Sequence, residues 1–586
     1  MASKKKSQPK NPSPEASSKP EESQVSRRSL LTTATTLGAV GIVLNSLASR
    51  AKAAPAAGED DQKGPLTGPR RAEHSYRIRV QAARQNLQLR VPRHQNNGDE
   101  ELYPNKIGNY SKGLPHDRFG EVDLAAYESL CRALQSGKPS DFEAIQMGNP
   151  NLATRFKLVN PQSGLAFDLE GTDSHQLSQP PAPAFASAWE AGEIVENYWM
   201  ALLRDVSFAQ YGANALALTG AADLSAMSDF RGPKAGGQVT AQTMFRENFP
   251  GALVGPYVSQ FFWLAQPFGA QYIEPRVRTA VSGLDYLTNG PEWLARQNGV
   301  LPSTGNALDP TLRYIRNGRD LGQWVHIDVL YQAYFQAMLA MLQGPDALDP
   351  RFSGLGVSPN PGNPYNGSAT QFGFGTLGGP YFATILTEVA TRALKAVWFE
   401  KWYVHRRLRP EEFGGRVHLA ATGERNYPVH ADVLNSTGLA QCFSNNGTGF
   451  LPMAFSEGCP THPAYGAGHA TVAGACVTIL KAIFDTEKPV TSTFQPVIPT
   501  DDGLSLVPYT GGDVGQMTIA GELNKLAANV AYGRNIAGVH WRTDGTESLL
   551  LGEKVAISVL RDQKLTFNES FPGFTFTKFD GTVVTV

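Results

Sequence analysis

The sequence predicts an all-α protein, a large helical-bundle domain of two packed four-helix bundles with long loops. Six stretches carry apolar residues at intervals of three and four, the spacing of amphipathic helices. They are residues 186–209, 323–343, 380–408, 469–485, 517–537 and 545–562. The connections are long and rich in Gly and Pro, as at residues 352–380 and 410–465. Such connections suit a site that is covered by loops.

The C-terminal residues 565–586 follow a different pattern from the helical stretches. Apolar and polar side chains alternate there, and Asp580-Gly581 supplies a turn between two such runs. Alternation is typical of strands and Asp-Gly of hairpin turns, so this segment predicts a small C-terminal β-hairpin.

The N-terminal segment is rich in Lys, Ser, Pro and Glu over residues 1–25, which predicts a disordered extension. Residues 26–53 open with Arg27-Arg28 and close with Ala51-Lys52-Ala53. They predict a twin-arginine signal that exports the chain to the periplasm or beyond in a bacterium; a membrane anchor is the alternative. An extended segment over residues 54–120 and the helical domain over residues 121–586 would follow.

Charge and cysteine content narrow the classes of function. There are 52 Lys and Arg residues against 53 Asp and Glu, a net charge of -1, so no bulk charge indicates nucleic acid or anionic lipid. Of the four cysteines, Cys442 and Cys459 lie in one loop and are the best candidates for a disulfide in an exported protein. Cys476 is expected to be a buried thiol, and no cysteine spacing suggests zinc.

Residues 398–544 carry the most informative pattern. Lys401 and Arg409 lie eight residues apart in KWYVHRRLRP, where Pro410 is expected to end a helix. Further on, Gly468 and His469 stand where glycines give way to an apolar helix, so their N–H groups should form an anion site at its N-terminus.

A third segment, AYGRNIAGVHWRTDG, completes this pattern. It holds Arg534 and His540 six residues apart, and Asp544 follows His540 by four, a spacing at which a carboxylate can orient the imidazole. Three cations match a tetrahedral oxyanion such as phosphate. His540 is then free to attack or ligate the central atom, and His469 to act as acid or base. Each residue alone is more often structural; their joint order indicates function.

These residues resemble the signature shared by vanadium-dependent haloperoxidases and the type 2 phosphatidic acid phosphatase superfamily. Trp398 and His462 are similar to residues that the bromoperoxidases of algae and cyanobacteria place beside the site. The resemblance extends over roughly residues 100–586. It includes the stretches YSKGLPHDRFGEV, ENYWMALLRDVSFAQYG and GRDLGQWVHIDVLYQAYFQAML.

The resemblance implies an enzyme that uses hydrogen peroxide to oxidise halide, most readily bromide, to hypohalous acid, which then halogenates organic acceptors. Vanadate would be its cofactor, and phosphate could occupy the same site. His540 would be the single protein ligand of vanadium. Lys401, Arg409, Arg534 and the Gly468 N–H would neutralise the oxygens. His469 would handle the peroxide proton, and Lys401 would polarise the activated peroxide.

Three residues are assigned to the surroundings of this site. The resemblance places Trp398 and His462 on the halide side, although core packing explains both equally well. Asp544 would orient His540 without itself contacting the oxyanion. The resemblance also implies a homo-oligomer, a dimer or a dodecamer. A calcium site is not predicted, because the loop before the lysine helix is poor in carboxylates.

One position departs from the family pattern. The family has Ser-Gly-His, whereas this chain has Ala467-Gly468-His469, so one hydroxyl donor to the oxyanion is missing. A hydrogen bond to a charged group contributes about 1.5–3 kcal/mol, which corresponds to a tenfold or larger loss of affinity. Two alternatives therefore stay open: phosphoester hydrolysis through a phosphohistidine at His540, and a protein that binds oxyanions without catalysis.

Overall fold

The computed structural model describes residues 68–586, and the elements below are those of this part of the chain. The extension predicted over residues 1–25, the export signal predicted over residues 26–53 and the start of the segment predicted over residues 54–120 lie outside it. Residues 72–586 form one unit with a continuous apolar core.

Sixteen α-helices lie within the described residues, and several of them begin at a side-chain cap, as Ser187 does for the helix that follows it. The helices are α1 (Gly68–Leu87), α2 (Asp99–Leu102), α3 (Leu124–Ser136), α4 (Pro139–Glu143), α5 (Ala188–Leu202), α6 (Ala215–Ala226), α7 (Gly290–Gln297), α8 (Gly318–Ile327), α9 (Gln332–Leu342), α10 (Gly379–Phe399), α11 (Pro410–Ala421), α12 (Ala431–Leu434), α13 (Thr437–Asn446), α14 (Gly468–Ile483), α15 (Ile519–Ile536) and α16 (Arg542–Lys564).

Four antiparallel two-stranded sheets accompany these helices in residues 68–586. They pair β1 (Gln266–Phe268) with β2 (Gln271–Ile273), β3 (Val277–Ala280) with β4 (Leu308–Arg313), β5 (Val497–Pro499) with β6 (Leu506–Pro508), and β7 (Thr575–Thr577) with β8 (Val583–Thr585). The last is the predicted C-terminal hairpin, which is confirmed. The predominance of helix is confirmed as well, but the all-α description omitted the other three two-stranded sheets, whose short strands leave little periodic signal.

Helix α14 lies at the centre of the fold. Apart from His469 all its residues are buried, and it packs against α10, α15 and α16. Glycines bring α14 and α16 into main-chain contact, since a Cβ at Gly474 would lie 2.0 Å from the Leu549 carbonyl oxygen and one at Gly552 equally close to that of Thr471. The two helices that flank the predicted site are therefore held together backbone to backbone.

Two predicted helices are interrupted in the structure. The run predicted over residues 323–343 divides into α8 and α9, because Asp328 adopts an extended conformation at the end of α8. The run predicted over residues 380–408 ends as α10 at Phe399 and continues as a π-helical turn over Glu400–His405. Apolar periodicity continues across both breaks, so the sequence pattern could not reveal them.

None of the helices in residues 68–586 combines the length and the apolar content that a membrane crossing requires.

Candidate functional site

Lys401 lies in the π-helical turn that follows α10 and is completely buried. Its Nζ donates hydrogen bonds to the carbonyl oxygens of Pro463 (2.8 Å) and Ala464 (2.9 Å). The turn ends at Arg406, whose φ of 42° is left-handed. The prediction that Pro410 ends this helix is wrong. Pro410 begins α11 instead, where its fixed φ is compatible with the first helical position.

Arg409 caps the N-terminus of α11 and is also completely buried. Its Nε donates to the His462 carbonyl oxygen (2.9 Å), and one terminal nitrogen donates to the Val539 carbonyl oxygen (2.6 Å). The same nitrogen lies 3.0 Å from Nε2 of His540, and the other lies 2.9 Å from Nδ1 of His462. Arg409 thus joins the loop before α14 to the loop before α16.

Arg534 lies in the last turn of α15 and reaches the same region from the opposite direction. One terminal nitrogen donates to the Val325 carbonyl oxygen at 2.9 Å, and the guanidinium carbon lies 5.6 Å from the centre of the Phe455 ring. Among the residues that the structure describes, its buried Nε has no hydrogen-bond partner. A buried donor of this kind is costly unless a ligand accepts from it.

The three cations share an electrostatic environment that favours an anion. Within residues 68–586, none of Lys401, Arg409 and Arg534 forms an ion pair with a carboxylate, although all are buried. Burial, together with Arg409, holds the pKa of Lys401 well below the usual lysine value, and burial lowers the pKa of Arg534 to about 10. These shifts measure the cost of gathering positive charge away from water, which a bound oxyanion would relieve.

His540 lies just before α16 and points one ring nitrogen at this group of cations. Its Nδ1 lies 2.8 Å from Oδ2 of Asp544, the contact that the spacing predicted. Since the carboxylate accepts, Nδ1 carries the proton and Nε2 presents a lone pair beside Arg409. Burial and the nearby Arg409 hold the pKa of His540 well below the usual histidine value, so the ring is neutral and suited to ligate or attack.

His469 stands in the first turn of α14, which begins at Gly468 as predicted. Its side chain is 28% exposed, and its Nε2 lies 2.9 Å from Oδ1 of Asp328. Asp328 is the residue that interrupts the helix predicted over residues 323–343. The sequence interpretation missed it, because no local pattern relates residues so far apart; an acidic residue within an apolar run was the only signal.

Trp398 and His462 lie together beside these residues. Their ring centres are 4.8 Å apart, and the Lys401 Nζ lies 5.6 Å from the centre of the Trp398 ring. A Cβ at Gly468 would lie 3.0 Å from the Trp398 ring, so glycine allows the α14 N-terminus to approach this wall closely. All nine predicted site residues therefore belong to one region of the structure.

Ala467 occupies the N-cap position of α14 and offers no side-chain hydrogen bond there. Its own N–H donates to the Ser548 hydroxyl oxygen at 2.8 Å, and Gln179 Nε2 donates to the same oxygen at 3.0 Å. Ser548 of α16 therefore holds the turn before Gly468. The serine hydroxyl that the family pattern has at position 467 is absent.

The disulfide expected between Cys442 and Cys459 is wrong. All four cysteines are free thiols. Cys442 lies in α13, whereas Cys459 lies near Arg409 and directs its sulfur at the Gly538 carbonyl oxygen, 3.6 Å away. Proximity along a loop did not bring the two thiols together, because α13 turns Cys442 into the core. Cys476 is buried, as predicted.

Several known proteins resemble this chain over all or part of its length. Residues 385–569 match the family model described as the VCPO second helical-bundle domain. The vanadium-dependent bromoperoxidase of Corallina pilulifera is 36% identical, with 88% of this chain and 98% of that protein aligned. The vanadium-dependent bromoperoxidase of Ascophyllum nodosum is 35% identical, with 90% and 94% aligned.

A solved structure also resembles this one over most of its length. It is the homohexameric second vanadate-dependent bromoperoxidase (AnII) from Ascophyllum nodosum, which superposes with a TM-score of 0.81. The two are 31% identical, and the match covers 91% of this chain and 93% of that one.

Proposed function

Because the chain belongs to the vanadium-dependent bromoperoxidases, we propose that its buried cations and His540 hold vanadate and that His469 handles the proton of the peroxide. The protein is an enzyme that uses hydrogen peroxide to oxidise halide. The observation that carries the proposal for the site is that three buried cations, none paired with a carboxylate of residues 68–586, surround one neutral imidazole.

The residues present fit vanadate in charge and in donor type. Arg409 and Arg534 offer guanidinium groups to its oxygens, Lys401 adds an ammonium group, and the Gly468 N–H lies at a helix N-terminus. Arg534 Nε, which has no partner in the described part of the chain, would find an acceptor in such an oxyanion. Phosphate has the same shape and would compete for the same residues. When bound, vanadate acts as a Lewis acid that activates hydrogen peroxide without needing an electron carrier.

His540 supplies the ligating nitrogen in this proposal. Asp544 keeps the proton on Nδ1, so the lone pair of Nε2 always faces the cations. Burial excludes water from this nitrogen, which strengthens its interaction with an electrophilic centre.

His469 is the residue suited to accept and return a proton. It is the more exposed of the two histidines, so its ring can meet an incoming peroxide, and Asp328 holds that ring from one side. A carboxylate in this position orients the imidazole and stabilises its protonated form. Lys401, whose Nζ is held by two carbonyl oxygens, would place its positive charge beside the peroxide and so polarise it.

Trp398 and His462 are proposed to form the halide side of the site. Their rings form one wall next to Lys401, and Nδ1 of His462 lies 2.9 Å from a terminal nitrogen of Arg409. Bromide is the halide that we expect to react most readily, and the hypohalous acid formed would then halogenate small organic acceptors.

Phosphoester hydrolysis uses the same groups in a different way. His540 would attack phosphorus, and His469 would protonate the leaving alcohol. Both the bromoperoxidase relatives and the wall formed by Trp398 and His462 favour halide oxidation over hydrolysis. The pairing of His469 with Asp328 likewise favours catalysis over passive anion binding, since binding alone requires no oriented acid or base.

A homo-oligomer is proposed on two grounds. The resembling structure from Ascophyllum nodosum is a homohexamer, and several large apolar side chains of this chain lie exposed, among them Phe167 and Phe372, each 81% exposed. A dimer and a dodecamer are the assemblies expected from the sequence. Light scattering on the purified protein would distinguish the two from a hexamer.

Domain boundaries and export are proposed from the sequence pattern. Residues 1–25 would be an N-terminal extension, residues 26–53 a twin-arginine signal and residues 121–586 the catalytic domain of two packed helical bundles. Residues 54–120, predicted as an extended segment, would connect the signal to this domain, but their described part contains the helices α1 and α2. The family model for a second helical bundle over residues 385–569 supports that division. N-terminal sequencing of protein recovered from the periplasm or medium of a bacterial culture would test the signal: a mature chain beginning near Ala54 is expected.

The assay that tests the function measures bromination by the apoprotein, with and without orthovanadate and with phosphate as competitor. Bromination that vanadate restores and phosphate suppresses is the expected result. The His540→Ala variant should lose it, whereas His430→Ala, which changes a histidine at the cap of α12, should not. Phosphoester hydrolysis that vanadate inhibits, in the absence of bromination, would favour the phosphatase alternative instead.

A further inference from the structure

Helix α5 presents a line of buried acidic residues towards the site. Glu190, Glu193 and Glu196 follow one another at intervals of three, and all are at most 2% exposed. Asn197 extends the line and donates to the His540 carbonyl oxygen at 3.0 Å. Buried carboxylates are rare unless cations hold them, so this helix must face specific partners.

Arg407 is the cation that the first two of these carboxylates hold. It is 2% exposed, and one terminal nitrogen donates to both Glu190 and Glu193, the latter at 3.0 Å. Its guanidinium carbon also lies 4.6 Å from the centre of the Trp541 ring. Glu190 and Glu193 therefore bind one terminal nitrogen of Arg407, and the other terminal nitrogen has a different partner.

That nitrogen donates to Oδ1 of Asp544 at 2.9 Å. The other carboxylate oxygen, Oδ2, accepts from His540 Nδ1 (2.8 Å) and from the Trp541 N–H (3.1 Å). Both oxygens of Asp544 thus accept hydrogen bonds. Rotation of the carboxylate would break a buried hydrogen bond to Arg407 or to His540. The order of contacts is α5, Arg407, Asp544, His540.

We propose that Arg407 is a positioning residue for His540: by holding one oxygen of Asp544, it fixes the carboxylate rotamer that keeps the His540 proton on Nδ1 and Nε2 directed at the oxyanion. Within the described residues, Arg407 donates hydrogen bonds to Asp544, Glu190 and Glu193 but none to the His540 imidazole. Its effect on binding is expected to pass through Asp544 alone, and this inference rests on the proposed role of His540. The outer partners of a ligating histidine typically alter affinity about 10- to 100-fold.

A purely structural role for Arg407 is the competing explanation, and the chain contains a matched control. Arg542 is also buried, also holds a glutamate of α5, namely Glu196 at 2.8 Å, and also packs on an aromatic ring. It makes no hydrogen bond to Asp544 or to the His540 ring within the described residues. Arg407→Lys and Arg542→Lys therefore disturb equivalent interfaces, but only the first disturbs the contact with Asp544.

The first experiment titrates inorganic phosphate into each apoprotein by calorimetry. Arg407→Lys should weaken phosphate about 10-fold or more, whereas Arg542→Lys should retain the wild-type affinity within about twofold. The His540 Nδ1–H resonance, in protein labelled with 15N-histidine, should shift or broaden in Arg407→Lys only. Equal losses in both variants, or an unchanged resonance and affinity in Arg407→Lys, would overturn the proposal. If lysine is not tolerated, Arg407→Gln is measured in the same way with the same expectation.

The second experiment is a double-mutant cycle with Asp544→Ala. If Arg407 acts through Asp544, the loss of phosphate affinity caused by Arg407→Lys should disappear once Asp544 is removed. Additive losses would show an independent, structural contribution and would refute the proposal. Failure of the proposed function is distinguishable, because wild-type protein would then bind neither phosphate nor vanadate, or His540→Ala would bind them as well as wild type.

Discussion

Asp328 Oδ1 lies 2.9 Å from Nε2 of His469, although 141 residues separate the two in the chain. The contact exists because α8 ends at Ile327 and Asp328 turns outward before α9 begins. Val325, one turn earlier, accepts a hydrogen bond from Arg534 through its carbonyl oxygen. The end of α8 therefore supports both a cation of the site and the proposed acid–base residue.

Replacing Asp328 with asparagine should separate catalysis from binding. The amide cannot stabilise a protonated His469, so kcat for bromination is expected to fall about 10- to 100-fold. Phosphate affinity of the apoprotein should hold or rise, because a negative charge near Arg534 is removed. Steady-state kinetics and calorimetry measure the two effects, with Asp349→Asn, at a surface pair with Arg351, as control. A parallel loss of phosphate affinity would argue against an acid–base role.

Restoring a hydroxyl with Ala467→Ser should tighten oxyanion binding. A hydrogen bond to a charged group contributes about 1.5–3 kcal/mol, so phosphate and vanadate are expected to bind about 10- to 100-fold more tightly. Affinity is measured on the apoprotein, and Ala473→Ser, deeper in the same buried helix, is the control. Because this position is also an N-cap, greater thermal stability without greater affinity would mean that the hydroxyl only caps α14.

Oxyanion binding should be accompanied by proton uptake at Lys401. Its pKa is depressed by burial and by Arg409, and an added anion raises that pKa towards the usual lysine value. At a pH between the two values, Lys401 is neutral before binding and protonated after it, so the sign is uptake. Phosphate titrations in buffers of different ionisation enthalpy measure the proton count.

The Lys401→Met variant should take up fewer protons than wild type, by as much as one. Lys395→Met is the control, since Lys395 lies in α10 and pairs with Asp168 at 2.7 Å, apart from the three cations. Identical proton counts in Lys401→Met and wild type would mean that Lys401 stays charged in the free protein.

His462→Phe should affect the halide more than the oxyanion. Phenylalanine preserves a ring beside Trp398 but removes the acceptor that faces Arg409, and leaving a buried donor unpaired costs about 1–3 kcal/mol. We expect lower stability to denaturant and a several-fold drop in kcat/KM for bromide, with a smaller change in vanadate affinity. His418→Phe, where the ring packs on Phe450 outside the site, is the matched control. A drop in vanadate affinity as large as that for bromide would place His462 on the oxyanion side.

The candidate site could be assembled from sequence to the extent that its residues carry a local signal. Lys401 and Arg409 are linked by their spacing, Gly468 by the start of a helix, and Asp544 by its distance from His540. The corresponding helices are present, because their apolar periodicity is strong.

The other features of the site depend on tertiary contacts that no local sequence pattern encodes. Asp328 meets His469 only because α8 breaks, and Arg407, in the run Arg406-Arg407-Leu408-Arg409, looks like any charge at the end of a helix. The packing of α5 against the site decides whether such an arginine is solvated or is hydrogen-bonded between α5 and Asp544. The expected Cys442–Cys459 disulfide failed for the same reason: sequence separation is a poor guide to the direction in which a side chain points.

The glycine contacts between α14 and α16 fix the geometry in which the two histidines work. His469 begins one of these helices and His540 directly precedes the other, and Gly474 and Gly552 let the backbones touch with no side chain between them. Repacking the surrounding core with other apolar residues should therefore leave the spacing of the histidines unchanged, while a single methyl group at either glycine would push them apart. For directed evolution, we expect halide preference to be varied through Trp398 and His462, whereas substitutions at Gly474 and Gly552 are expected to disturb the site.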